Sequence, residues 1–263
     1  MKKITNLILA VMLIVCSTVT AQVTITIKPP QGGLDDATIS DNFASSNFGN
    51  HTEELLLTWS CSGSPCVGRS IMNFDLSAIP TNSIINSATL YLYADINNAG
   101  SNGIPGQPTY GTDNAGWVRR ITQSWNENTV TWNTQPSFTT QNEVTLPQST
   151  STTQDYAATV SALVQDMINN PSSSFGFLVM EKNESIYYNS LIFVSNDNAD
   201  TARNPKLVIT YTPPSGNMTC TETVLDASGI DATISDNFAG SNFGNHTEEL
   251  LLSWSCSGSP CVG

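Results

Sequence analysis

Positive charge is scarce. The 263 residues hold nine lysines and arginines and two histidines against 22 acidic residues, a formal net charge of −13. Nucleic acids and anionic membrane surfaces would be repelled by such a chain. An acidic polysaccharide would be repelled too, unless a local basic patch or a bridging cation intervened. Charged residues of both signs make up only 12%, so Ser, Thr, Asn and Gln must cover most of the surface. The motifs of common chemistries are missing: there is no His-Glu-x-x-His, no Gly-x-Ser-x-Gly and no phosphate loop. Sequence alone sets no pair of carboxylates across a cleft, so the reading is a protein that is not an enzyme. The longest apolar run is shorter than the ~20 residues that a membrane-spanning helix needs.

That run lies at the start. Lys2 and Lys3 precede a mostly apolar Ile4 to Val15, and Thr18-Val-Thr-Ala21 ends on a small residue. The pattern is that of a secretory signal peptide over residues 1–21, cut after Ala21. Its removal makes the net charge still more negative. The expected location is outside the cell or on its surface, with no insertion into a membrane.

The chain is organised around a repeated stretch. Asp36–Gly68 recurs as Asp231–Gly263 with two differences, Ser45 against Gly240 and Thr58 against Ser253. A repeat of this length is an array of whole domains rather than a solenoid of small units. The expected organisation is one complete unit over residues 22–212, a stiff Pro-rich linker over 213–216, and the opening part of a second unit over 217–263. Further domains of a longer natural chain would fit this arrangement.

Cysteine usage fits export. Cys61 and Cys66 flank Ser-Gly-Ser-Pro, and Cys256 and Cys261 repeat the arrangement; both pairs are expected to close as disulfides in an oxidising compartment. Zinc would need two more ligands, and none is visible nearby. Cys220 aligns with Ile25 and reads as a buried thiol, or one whose partner lies elsewhere.

Strand signals dominate the first unit. Val23 to Lys28 alternates apolar and polar residues; Glu54 to Trp59, Arg69 to Asp75 and Ser87 to Ala94 are further strand candidates. In the last of these, Ala88, Leu90, Leu92 and Ala94 form one face and Thr89, Tyr91 and Tyr93 the other, which predicts a central strand. Ala37 to Ser40 and Gly116 to Thr122 are shorter candidates. Asn97 to Asn114 reads as a loop. Val160, Leu163, Val164, Met167 and Ile168 carry helical spacing, with Thr159 or Ser161 as the cap and Pro171 as the stop. Phe175 to Glu181, Leu191 to Ser195 and Leu207 to Thr212 close the unit. Around ten short strands and one short helix, with first and last strands that both look central, predict an all-β jelly-roll β-sandwich.

The order of the motifs resembles the DNRLRE domain, also called the disaggregatase-related repeat or carbohydrate-binding module family 96. The resemblance rests on Asp36-Ala-Thr-Ile39, Asn47-Phe-Gly49, Arg69-Ser-Ile-Met-Asn-Phe-Asp-Leu-Ser-Ala-Ile-Pro80, Ser87-Ala-Thr-Leu-Tyr-Leu92, Ser124-Trp-Asn-Glu127, Thr129-Val-Thr-Trp-Asn133 and Pro205-Lys-Leu-Val-Ile-Thr-Tyr211. It covers about residues 34 to 212. Asn73, where a basic residue is common, and the Cys61–Cys66 turn stand apart from the family pattern. The resemblance implies a secreted jelly-roll module, commonly in tandem or attached to an enzyme or adhesin, that binds polysaccharide. A structural spacer or adhesin repeat without a glycan ligand is the rival reading, favoured by the near-identical repeat.

Trp125, Glu127 and Trp132 invite a sugar-binding reading, but residues at fixed spacing inside a fold signature read first as packing, with Glu127 tying down a loop. The candidates for ligand contact are therefore the aromatics Tyr110, Trp117, Tyr187 and Tyr188, with Arg69 and Arg119 as polar partners. Arg119 and Arg120 are neighbours in a strand and should face opposite ways. The histidines, His51 and His246, would need further ligands to hold a metal. Asp35, Asp36 and Asp41, near a loop, are candidate oxygen donors for a structural Ca²⁺ ion, without the spacing of an EF-hand.

Overall fold

A computed structural model describes residues 22–28, 36–96 and 114–214. The expected signal peptide, Cys220, the Cys256–Cys261 pair and the second copy lie outside the described residues.

Eleven strands and one α-helix are described, in the order β1 (Val23–Ile27), β2 (Asp36–Ser40), β3 (Glu53–Cys61), β4 (Ser64–Met72), β5 (Ile84–Leu92), β6 (Gly116–Ile121), β7 (Phe138–Leu146), β8 (Tyr156–Thr159), α1 (Ser161–Asn169), β9 (Phe177–Glu181), β10 (Asn189–Val194) and β11 (Lys206–Thr212). Every pairing is antiparallel. One sheet has the order β1-β11-β5-β8. The other has seven strands, β10-β3-β4-β9-β6-β7, with β2 added on β4. The fold is the expected all-β jelly-roll sandwich with one short helix.

Alternation in β5 and β11 places Ala88, Leu90, Leu92, Leu207, Ile209 and Tyr211 in the space between the sheets. Leu56, Met72, Val118, Phe177, Val179, Leu191 and Phe193 meet them from the seven-stranded sheet. Each fully buried side chain of this kind contributes about 1.5–3 kcal/mol. Helix α1 adds Leu163, Val164, Met167 and Ile168, the stripe that the spacing predicts. The intervening residues of the large sheet point outward, and Ala37, Ile39, Ile71, Ile121, Leu178 and Met180 form a second apolar layer. Trp117, Trp125, Trp132, Phe138 and Phe175 pack against it. The large sheet is thus packed on both faces.

Several expectations are corrected. Strand β11 is central, but β1 is an edge strand with Val23 and Thr24 exposed; its alternation serves one neighbour only. The strand expected over Arg69 to Asp75 begins earlier, at Ser64, and ends at Met72. The cysteines belong to the strands rather than to the loop: Cys61 pairs with Ser64 and Trp59 with Cys66, so Ser62 and Gly63 alone make the turn. Their φ values of 52° and 86° are those of a two-residue hairpin. The Cys61–Cys66 disulfide forms across it. Neither Thr159 nor Ser161 caps α1. Val160 holds that position without a side-chain bond, and Ser161 Oγ instead accepts the Ala88 N–H at 2.9 Å, tying the helix to β5.

Glu181 is an anomaly of the core. It is fully buried at the end of β9, and neither carboxyl oxygen has a hydrogen-bond partner among the described residues. Burial first, and Glu184 second, push its carboxyl well above the ordinary value of 4.5. A group protonated more readily when folded contributes its full stability below the unfolded value, and that contribution is lost as pH rises through the folded one. Glu181→Gln should therefore raise the melting temperature at neutral pH by a few degrees, and the gain should shrink as the pH falls toward 4.5. Melting curves across pH check this; an equal gain at every pH would contradict it.

Candidate functional site

The loop from Lys182 to Tyr188, between β9 and β10, gathers the described ligand candidates. Asn183 shapes it: its side-chain carbonyl accepts the Ser185 N–H at 3.1 Å, a local turn that asparagine favours. Glu184 forms a two-pronged ion pair with Arg69, with both N···O distances 2.7 Å. Arg69 also donates to Gln135 Oε1 at 2.8 Å and lies 4.6 Å above the Trp132 ring. Lys182 sits 4.0 Å over the Trp117 ring and donates to Thr145 Oγ1. Arg119 reaches the same ring from 5.5 Å and pairs with Glu143 at 2.7 Å.

The other end of the loop is fixed to the stapled hairpin. Tyr187 Oη donates to the Gly63 carbonyl at 3.1 Å. The Tyr188 N–H donates to the Thr58 carbonyl at 2.7 Å, and its ring meets Trp59 edge to face at 4.9 Å. Tyr188 has φ of 65°, a conformation that costs an aromatic residue and persists only where its surroundings enforce it.

Thus Arg69, Trp117, Tyr187 and Tyr188 meet or belong to one loop, and Arg119 adjoins it through the Trp117 ring, each half-buried; Tyr110 lies outside the described residues. The aromatics were expected to be exposed, but cations and neighbouring rings cover part of each. Arg119 and Arg120 face opposite ways as expected. Arg120 is buried and donates to the Ser173 carbonyl at 2.7 Å. Trp59, Lys182 and Glu184 belong to the same assembly and went unread in sequence. A tryptophan at the end of a strand candidate was the only available signal for Trp59.

The packing reading of the Trp-Asn-Glu segment holds. Trp125 Nε1 donates to the Phe175 carbonyl at 2.9 Å, and Trp125 and Trp132 cover the outer apolar layer. Asn47 Nδ2 donates to the carbonyls of Glu127 and Val130 at 2.6 and 2.8 Å. Gly49 packs so closely on Glu127 that a side chain there would fall 2.7 Å from its Cγ. The Asn-Phe-Gly turn therefore clamps the Glu127 loop. A shallow cleft of about 370 Å³ beside it is lined by Ser124, Trp125, Asn126, Thr129, Val130 and Thr134, none of them charged.

The candidate calcium ligands separate. Asp35 lies outside the described residues. Asp41 Oδ1 accepts the Val67 N–H at 2.6 Å, at the opposite end of β2 from Asp36. Asp36 is instead joined by Glu127 and Asp197, whose carboxylate oxygens lie within 4.8 Å of one another. His51 is exposed, with its ring 5.5 Å from Phe48.

No curated protein matches the chain. The family model described as carbohydrate-binding module family 96 matches residues 33–211, which spans β2 to β11 and the assembly around the Lys182–Tyr188 loop. The chain belongs to carbohydrate-binding module family 96.

Proposed function

We propose that this is a secreted, non-catalytic module that binds a polysaccharide through the surface around the Lys182–Tyr188 loop. The observation that carries this reading is the gathering of Trp59, Trp117, Tyr187 and Tyr188 with Arg69 and Lys182 along that single loop, with Arg119 on the far side of the Trp117 ring. Aromatic faces stack on the C–H faces of sugar rings, while charged and amide groups bond to hydroxyls. The loop is tied at both ends, so little conformational freedom would be lost on binding.

Charge favours a neutral polysaccharide. Arg69 and Arg119 are both paired with carboxylates, which leaves no strongly basic patch among the described residues of this surface to overcome the negative charge of the chain. The positively charged start followed by an apolar run supports export, and the Cys61–Cys66 disulfide fits an oxidising compartment. No described helix is long and apolar enough to cross a membrane. Repeated modules would strengthen attachment to a polymer through effective concentration, without any new contact.

Retention on neutral cell-wall and algal polysaccharides tests this reading. Trp117→Ala and Tyr187→Ala should each weaken binding about tenfold or more, as buried aromatic anchors do at other interfaces, with circular dichroism unchanged. Should the parent bind no polysaccharide, or both variants bind as it does, the surface is not the site. A spacer without a ligand would then be the better description.

A further inference from the structure

We propose that Asp36, Glu54, Glu127 and Asp197 form a calcium site inside one end of the sandwich. Three of the four are almost wholly inaccessible: Asp36 and Glu54 at 1% exposure and Glu127 at 3%. They come from the start of β2, the start of β3, the loop after β6 and the loop after β10. The three carboxylates of Asp36, Glu127 and Asp197 converge within 4.8 Å, the spacing of oxygens around a single ion.

Glu54 supplies an independent observation. It lies in hydrogen-bonding reach of the Asp36 carboxyl and feels the charges of Asp36 and Asp197, so its carboxyl is aimed into the group. Its Oε2 is buried without a hydrogen-bond partner among the described residues, and so is Oδ2 of Asp197. Neither residue takes part in the ion pairs of the described residues, which use Glu184, Glu143 and Asp155. Buried carboxylates left this way are costly unless a cation joins them. Backbone bonds hold the group in place: the Asn196 N–H donates to Asp36 Oδ2 at 2.6 Å, and the Asp36 N–H to Glu127 Oε1 at 3.4 Å. The Asn47 and Gly49 contacts on Glu127 add to this.

The donors are all oxygen, with no histidine or cysteine among them, which selects a hard cation over zinc. Calcium accepts about six to eight oxygens in adaptable geometry, whereas magnesium demands a tight octahedron and retains its waters. A buried nest of carboxylates suits the former. The ion would join four segments distant in sequence and so stabilise the sandwich as a whole.

The test is a melting curve of the full chain in EDTA and in millimolar calcium or magnesium, with calorimetric titration of the stripped protein. Calcium should raise the melting temperature by several degrees and bind one to one; magnesium should do less. Asp197→Asn and Glu54→Gln carry an opposite pair of signs. In EDTA each should be at least as stable as the parent, because like charges are relieved. In calcium each should gain little, with binding weakened by more than about tenfold. If the stripped parent binds no calcium and melts identically with and without it, the carboxyls share protons instead and the proposal fails. It fails equally if both variants respond to calcium as the parent does.

Discussion

Gly176→Ala should cost about 3 kcal/mol or more, a large share of the roughly 5–15 kcal/mol by which a domain is stable. Gly176 has φ of 96°, which side-chain-bearing residues rarely adopt and pay for in strain. A methyl group there would also collide with the Met72 carbonyl and approach Asn73 Cα to 2.8 Å. Both obstacles are backbone, held in β4's pairing with β9, so neither can swing aside as a flexible side chain would. The Gly176 carbonyl accepts the Ile121 N–H at 2.9 Å, so a shift of the segment would disturb β6 as well. Urea unfolding followed by tryptophan fluorescence measures the loss. A midpoint equal to that of the parent would show that the segment can relax.

The second large effect is expected at the centre. Phe193→Ala should destabilise by about 3–5 kcal/mol, the usual cost of emptying an aromatic site in a close-packed core. Phe193 has no exposure, stands in the pairing of β10 with β3, and meets Tyr156 of the opposite sheet edge to face at 5.6 Å. Its loss removes contact between the two sheets rather than within one. Phe193→Leu should cost less, because the void is smaller. Equal losses for the two variants would point to the ring–ring geometry rather than to volume.

Much of the sandwich was legible because it is local. The period-two pattern of Ser87 to Ala94 gave β5 its buried face, and the spacing of Val160 to Ile168 gave α1 its stripe. Strand β7 was missed because Phe138-Thr-Thr-Gln-Asn-Glu-Val-Thr-Leu146 has no such alternation: it lies at an edge and is bulged where it meets β6. Strand β8, Tyr156–Thr159, is too short to show a period. The candidate site was legible residue by residue but not as an arrangement. Arg69, Trp117, Arg119, Tyr187 and Tyr188 were each identifiable by type, yet nothing in their order says that Glu184 would pair with Arg69 or that Lys182 would cover Trp117. Asp36 was identifiable as an oxygen donor, but its companions Glu127 and Asp197 are supplied by folding rather than by neighbouring positions.

The polar edge at β7 matters most for a chain that carries near-copies of one segment. Near-identical neighbours offer each other interchangeable strands, and an open flat border invites the wrong one to dock. Here that border exposes Thr140, Gln141 and Asn142, with Asn142 at φ of 57° and a shifted register against β6. Such a kinked, hydrophilic margin is a poor template for a foreign strand.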